Sequence, residues 1–283
     1  MQTFLFTAAL LVSHQDKLEV ERVLSSELLK ISSWLIDNRL SLHLGKTESI
    51  LFACRTKLKK SPGFRVVVGD VEVATKDSIK YLGCTLDNNL SGESMALQVI
   101  QKVNQRGKFL ARTSSFLNRS ALEILAGALI QCHFDYASTS WYTGISAALK
   151  HKLQTAQNKL VRVILKLHPR THLSSAHFDS LKWLRVEDRA SLMKLTMVHR
   201  IQSKDAPKYL HDYFIKVGNT HGHFTRQSTT DLMPMHSSSS VGRNTFRCSA
   251  ASKWNGLPKN LKTISSATGF KVSLKLWLNR NWT

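Results

Sequence analysis

Residues 149–164 read LKHKLQTAQNKLVRVI, and this stretch predicts the helical character of most of the chain. Its apolar residues recur at intervals of four, three, four and four, as positions on one face of an amphipathic helix do. The residues between them are polar, basic or aliphatic, and none is acidic. We therefore expect a helix with one face in a core and a positively charged face outside. The core-facing positions are Leu149, Leu153, Ala156, Leu160 and Ile164.

Helical patterns extend from this stretch in both directions. Residues 95–166 read as helical throughout, in roughly three segments. After Pro169, residues 187–202 predict another helix, and residues 270–278 predict a short terminal one. Residues 217–240 are rich in Gly, Ser, Thr and His with little apolar period, which predicts a flexible connector.

The chain before residue 92 has a different texture. Leu24, Leu28, Ile31 and Leu35 recur with helical spacing, and strand-like patterns follow them, with a hairpin turn at Gly69-Asp70. The predicted strands cover residues 40–44, 66–68, 71–73 and 79–86. Residues 55–63 predict a basic loop. The expected class is α+β, with a small antiparallel sheet and one helix over residues 1–91, and helical regions over 92–167 and 168–283.

The chain is strongly basic. Forty lysines and arginines stand against nineteen aspartates and glutamates, a formal net charge of +21. Acidic residues are absent between Glu93 and Glu123, between Asp135 and Asp179, and after Asp231. Such stretches on helices present positive charge to a phosphate backbone, so nucleic acid is the first expected partner and an anionic membrane surface the second. The alternative is a solvated helix surface that binds nothing in particular.

Several enzyme classes lack their sequence patterns. No G-x-S-x-G motif occurs, and Gly45-Lys46-Thr47 matches only the tail of a phosphate-binding loop, which disfavours hydrolase and NTPase chemistry. His168, His172 and His177 have no cysteine or acid beside them, so we expect no metal site there. The four cysteines form no C-x-x-C motif, which fits a reducing compartment better than a disulfide framework.

Apolar features are expected to be structural. Residues 4–12 lack the basic start and cleavage site of a signal peptide, so we expect a buried strand and no secretion. No apolar run reaches the roughly 20 residues that span a bilayer, and a nuclear or cytoplasmic location is expected. Trp34, Trp183, Trp254 and Trp277 lie among aliphatic residues, which predicts core packing rather than base stacking.

A series of short motifs runs along the chain. They are ALLVSH (9–14), WL (34–35), NRLSL (38–42), KTE (46–48), KYLG (80–83), FDY (134–136), QN (157–158), LKWLRV (181–186), APKYL (206–210) and WNGLP (254–258). In order and spacing the series resembles the C-terminal part of the reverse transcriptases of non-LTR (LINE-type) retrotransposons. The first motif is similar to the segment after their catalytic Asp-Asp hairpin, and the KYLG motif is similar to their primer grip.

The resemblance implies an incomplete polymerase palm over residues 1–91, a helical thumb over 92–167 and a C-terminal region. The ancestral activity it implies is RNA-templated DNA synthesis with Mg²⁺. The family's Asp-Asp motif falls at residues 4–7, which read FLFT, and the fingers would precede Met1. Two divalent ions need carboxylate ligands. We therefore expect no catalytic residue, no bound metal and no polymerisation by this chain alone.

The resemblance and the charge pattern together indicate residues that bind RNA and DNA as template and primer. They are Lys46, Tyr81, Leu82, Gly83, Lys102, Arg106, Lys108 and Arg112. By analogy with the family, Lys46 would protonate the pyrophosphate leaving group. Two alternatives stay open: a host protein that uses this segment as a non-enzymatic interaction module, and a non-functional gene fragment whose open sheet edges aggregate.

Overall fold

The computed structural model describes residues 8–60, 63–219 and 230–280. The chain forms two compact units, Met1–Leu90 and Ser91–Thr283. The first unit combines a long helix with short β-strands, and the second is built from helices. The α+β class expected from the sequence is therefore confirmed.

The first unit opens with helix α1, Lys17–Asp37. Asp16 starts it by accepting a hydrogen bond on a carboxylate oxygen from the amide two residues later (3.0 Å), which satisfies an otherwise unpaired amide of the first turn. Asn38 ends it, and its side-chain amide donates to the carbonyl of Trp34 (2.8 Å). The expected helix is confirmed, and the cap at Asp16 extends it by about two turns toward the N-terminus.

Five short strands follow α1 in the described part of the first unit. They are β1 (Glu48–Ser49), β2 (Val66–Val68), β3 (Val71–Thr75), β4 (Ser78–Tyr81) and β5 (Cys84–Asp87). β3 lies between β1 and β2, and β4 pairs with β5. Both hairpins are antiparallel, which confirms the small antiparallel sheet that was expected, and β1 adds to it by pairing with β3 in parallel over two residues. The connection from Ser49 to Val71 is long enough for the crossover that parallel strands require.

Helix α1 covers β2, which is an edge strand of the three-stranded sheet. The backbone amides of Arg65 and Val67 donate to side chains on α1, those of Glu21 (3.0 Å) and Ser25 (3.1 Å). Unpaired edge amides invite strand addition and aggregation, so α1 protects this edge. A small cluster of buried apolar residues lies between helix and sheet: Val20, Phe64, Val66 and Val73.

Three local expectations for this unit are wrong. Residues 40–44 form no strand and lead into a 3-10 turn at Leu44–Lys46, and the basic loop contains a helix, α2, Arg55–Lys60. Residues 8–14 have no regular structure and Leu11 is 81% exposed, so no buried strand forms there. Residues 4–7 lie outside the described residues. A short apolar run fits the strand period and the helix period equally well, so it does not identify the element that it forms.

The second unit contains the helices that the sequence predicted and several shorter ones. They are α3 (Glu93–Thr113), α4 (Arg119–Ala126), α5 (Cys132–Asp135), α6 (Ser138–Trp141), α7 (Ala147–Ile164), α8 (Ser175–Ser180), α9 (Val186–Gln202), α10 (Ser240–Asn244), α11 (Phe246–Asn255), α12 (Lys259–Lys262) and α13 (Ala267–Arg280). A π-helical segment, Gly127–Gln131, joins α4 to α5. The helical pattern of residues 95–166 is confirmed but is divided more finely than expected.

Helix α7 buries the apolar stripe that its sequence predicted. All five stripe residues are buried, and the helix packs against α3. The two helices approach closely at Gly107, where a Cβ atom would lie 3.1 Å from Cδ2 of Leu160. A larger residue at this position would push the helices apart, because side chains in a packed interface have little free space.

Helices α9, α11 and α13 enclose a further core. The ring of His199 stacks on Phe270 with centroids 4.3 Å apart, and Trp254 lies 5.7 Å from the same ring. Leu232 is fully buried here, and the side chain of Asn255 bonds both its backbone amide and its carbonyl, at 2.8 Å each.

The flexible connector expected over residues 217–240 is therefore wrong around Leu232. Residues 220–229 of that span lie outside the described residues. The core expectation for the tryptophans is confirmed at Trp183 and Trp254, which are buried, and at Trp277, which packs against the core. It is wrong at Trp34, which is 59% exposed on α1.

Candidate nucleic-acid interface

The four basic residues expected on the thumb all lie on α3, but they do not share one face. Helical residues follow one another at about 100°, so Lys102 and Arg106 fall on one side of α3 and Lys108 and Arg112 fall on another. The buried residues of α3, including Val99 and Val103, border the first pair. The four positions therefore have different environments.

Arg106 is engaged within the second unit. Its Nη1 donates to the carbonyl of Leu129 (2.6 Å) and also hydrogen-bonds Nε2 of His133. Leu129 lies in the π-helical segment, whose backbone hydrogen bonds span five residues instead of the four of an α-helix. Burial, then the charges of Arg106 and Lys102, lower the pKa of His133, which favours the neutral ring that accepts this bond. Arg106 thus has a structural role that its charge alone does not reveal.

Lys108 and Arg112 face outward. Both are exposed, and they lie four residues apart, so their side chains are neighbours on the helix surface. Lys152 and Lys159 on α7 are also exposed and lie seven residues apart, which places them on one side of that helix. These four cations are available to solvent and to a phosphate backbone.

Other basic residues of the acid-free stretches bind within the fold. Nε of Arg162 donates to the carbonyl of Thr171 (3.0 Å), and Arg119 pairs with Glu123 (2.7 Å) and donates to the carbonyl of Ser180 (2.8 Å). The positive charge of the sequence thus divides into internal donors and outward cations. Arg106 and Arg119 are also exposed, but carbonyls within the fold use part of their donor capacity.

The expected primer-grip residues form the tip of the β4–β5 hairpin. Tyr81 pairs with Cys84, and Leu82 and Gly83 make the two-residue turn between them. Both turn residues have positive φ, 46° and 80°, as a type I′ turn requires. Residues 79–86 are therefore two strands with a tight turn, and the expectation of one continuous strand is wrong.

The hairpin tip is exposed and strained. Leu82 is 68% exposed and Tyr81 is 38% exposed. The left-handed conformation of an L-residue other than Gly, Asn or Asp is unfavourable by about 1–2 kcal/mol, and such strain is concentrated at functional positions. An exposed apolar tip is suited to contact with a base or a sugar.

Lys46 lies apart from the hairpin in the sequence and is part of a 3-10 turn. The turn, Leu44–Lys46, is closed by a hydrogen bond from the amide of Lys46 to the carbonyl of His43 (2.9 Å). The lysine is exposed. Its position permits contact with an anionic ligand.

The donor set for a magnesium pair is not available where the resemblance locates it. Residues 4–7 carry Phe6 and Thr7 rather than two carboxylates, and they lie outside the described residues. Among the described residues, no group of three or more His, Cys, Asp or Glu side chains could hold a metal ion. His177 instead caps α8 through its ring and Ser174. These residues do not fit a two-metal centre.

Sequence reasoning missed a buried lysine on α9. Lys194 is only 3% exposed, and it lies on the same helix face as Ala190 and Val198, which are buried. A lysine on the core-facing side of an amphipathic helix was the available signal. The charge count does not identify Lys194, because it treats all forty lysines and arginines alike.

In the part of the chain that the structure describes, no helix combines the length and the apolarity needed to cross a bilayer. Comparisons of the chain with protein-family models, with curated proteins and with solved structures find no match.

Proposed function

We propose that this chain is part of the RNA-directed DNA polymerase of a non-LTR retrotransposon. Residues 1–283 bind template–primer nucleic acid and do not perform catalysis. The exposed cation pairs of the second unit are the observation that carries the proposal. Lys108 and Arg112 on α3, and Lys152 and Lys159 on α7, face solvent in stretches that contain no acid. Binding of phosphates by such cations releases counterions and is largely independent of sequence.

The order of motifs supports the family assignment, and the hairpin geometry supports a contact near the primer end. The KYLG motif forms a type I′ hairpin whose tip exposes Leu82. The positions of the family's magnesium ligands carry no aspartate here, since residues 4–7 read FLFT. In this proposal the chain therefore binds nucleic acid but does not extend a primer.

The test is fluorescence anisotropy of the whole chain with a labelled RNA–DNA hybrid at several salt concentrations. We expect log K to fall linearly with log salt, with a slope of about −0.9 for each phosphate contacted. The double variant Lys108→Ala/Arg112→Ala should reduce the steepness of that slope by about one for each cation removed.

A matched control is Lys30→Ala, because Lys30 is an exposed lysine of α1 that pairs with Glu27 (2.7 Å). It should leave the salt slope unchanged. Affinity that ignores salt, or equal slopes for the double variant and the wild type, would contradict the proposal. Primer extension on an RNA template with Mg²⁺ would contradict the catalytic part of it.

One observation favours the alternative of a protein interaction module. Leu18, Leu29 and Ile36 are 65%, 52% and 68% exposed, and their spacing places them on one side of α1. Exposed apolar stripes mark interaction surfaces. Sedimentation of the wild type against Leu29→Glu tests this alternative: self-association that the variant abolishes favours it, and monomers at all concentrations count against it.

A further inference from the structure

A basic cleft lies in the second unit among α6, α7, α9 and α11. Its cavity volume is about 30 Å³. A cavity of about 10–15 Å³ holds one water molecule, so this cleft admits a group of a few atoms but no large ligand. Its polar lining includes Ser138, Thr143, Lys150, Glu187, Lys194 and Lys253.

Lys194 is the innermost cation of the cleft. It is 3% exposed, and its ammonium donates to the hydroxyls of Thr143 and Ser249, the latter at 2.8 Å. Among the described residues, no carboxylate lies within ion-pair distance of it. An ammonium has three N–H donors, so one remains for a ligand. Burying a charge without a counter-charge is unfavourable, and a bound anion would relieve this penalty.

Two further lysines reach the same cleft. Nζ of Lys253 donates to the hydroxyl of Ser191 (2.8 Å), and Nζ of Lys150 lies 5.4 Å from the centroid of the Tyr142 ring. Each of these contacts leaves N–H groups on the ammonium unused. Glu187 is the acid among the lining residues, so the cleft carries an excess of positive charge.

Ser138 supplies an unpaired polar group. It is 1% exposed, and its hydroxyl oxygen has no hydrogen-bond partner among the described residues. A buried hydroxyl without a partner is unfavourable by about 1–3 kcal/mol. Ser138 lines the cleft that the three lysines share, so an oxygen atom of a ligand there could accept a hydrogen bond from its hydroxyl.

We infer that this cleft binds a free phosphate ion or the terminal phosphate of a monoester, held by Lys150, Lys194 and Lys253 with the hydroxyl of Ser138. A tetrahedral dianion has several acceptor oxygens for donors that converge from different elements. The site is separate from the exposed cations of α3 and from the outward lysines of α7. Phosphate binding in the cleft therefore does not depend on nucleic-acid binding by those exposed cations.

Isothermal titration calorimetry of the whole chain with inorganic phosphate tests the inference, at constant ionic strength set by chloride. We expect saturable binding at one site. Lys194→Met and Lys253→Met should each weaken it at least tenfold, and Ser138→Ala should weaken it several-fold. Lys253 is exposed, so its variant retains the fold even if a change at Lys194 perturbs it. The matched control is Lys271→Met, an exposed α13 lysine outside the lining, which should bind phosphate as the wild type does.

Competition distinguishes the source of the phosphate. Adenosine monophosphate should displace inorganic phosphate, and an oligonucleotide with hydroxyls at both ends should not. Absence of saturable phosphate binding would overturn the inference, and so would unchanged affinity in both Lys194→Met and Lys253→Met. Displacement by the oligonucleotide without a terminal phosphate would overturn it as well, because the cleft would then accept phosphodiesters.

Discussion

The first unit packs a long helix on a small sheet, whereas the second unit encloses extensive cores between helices. In the described part of the first unit, the buried apolar residues are four, and Trp34 and Ile36 on α1 are more exposed than buried. In the second unit, α9 alone buries residues on most of its circumference. Because stability increases with the surface buried on folding, the second unit should be much the more stable.

The largest expected effect comes from removing a ring at the centre of the second unit. Phe270 is fully buried and contacts the rings of His199 and Trp254. Phe270→Ala should lower the free energy of unfolding by about 3–5 kcal/mol, because it deletes apolar contacts and leaves a cavity. Val272→Ala on the same helix is the control: Val272 is 56% exposed, so a change within about 0.5 kcal/mol is expected. Urea unfolding measures both, and equal losses would show that this core is not the stable one.

Lys194 makes the stability of the second unit depend on pH. Burial, then the charges of Lys253 and Lys150, lower the pKa of Lys194 from 10.5 to about 8. Between these values the unfolded state holds a proton that the folded state has released, so stability rises with pH from about 8 to about 10.5. The change is on the order of 3 kcal/mol.

Lys194→Met should remove that dependence and should be more stable than the wild type at pH 7. Urea unfolding of both proteins at about pH 7, 9 and 10, in chloride without phosphate, checks the difference between their slopes. Parallel pH profiles would show that the buried ammonium does not control stability.

A core change in the first unit should have a smaller and more local effect. Val66 is 1% exposed and lies on β2 beneath α1. Val66→Ala should lower the free energy of unfolding of the first unit by about 2 kcal/mol, because it removes apolar surface that folding buries. Hydrogen exchange should accelerate in α1, β2 and β3 and stay unchanged in α7 and α9. Val67→Ala is the control, since Val67 is 40% exposed; faster exchange across both units would mean that the two cores are not independent.

The smallest expected effect is an increase in the stability of the β4–β5 hairpin. Leu82 has φ of 46° in a turn where asparagine is preferred, and it is 68% exposed. Leu82→Asn should stabilise the β4–β5 hairpin by up to about 1 kcal/mol, with slower exchange of its amides. If the same change weakens nucleic-acid binding while the hairpin becomes more stable, the leucine is a contact residue; a destabilised hairpin would contradict the strain argument.

Helix positions were predictable where the apolar period was long. The stripes of α7 and α9 span about four turns or more, and an apolar period that persists over that length is typical of a helix and fits no strand. The hairpin at Gly69-Asp70 was predictable because Gly69 supplies the positive φ of its turn. The structure near Leu42 and Arg55 differs from the predicted strand and loop, since a few residues fit several periods equally well.

The candidate sites were predictable only in part. The charge count identified basic stretches, and helical spacing gave the positions of Lys108 and Arg112. Neither the charge count nor the spacing distinguishes these two cations from Arg106 and Arg162. Arg106 donates to a carbonyl distant in the sequence, and Arg162 donates to a carbonyl beyond the end of its own helix. That distinction depends on which chain segments pack together.

The sequence by itself determined the α+β class, the principal helices of both units and the strong positive charge, because composition and periodicity are local properties. Only the tertiary structure decided which cations are free. Packing buried Lys194 without a counter-ion among the described residues, turned Arg106 toward a π-helical carbonyl and left Trp34 in solvent. A charge or a ring acquires its role from the surroundings that folding brings to it, and those surroundings come from residues far away along the chain.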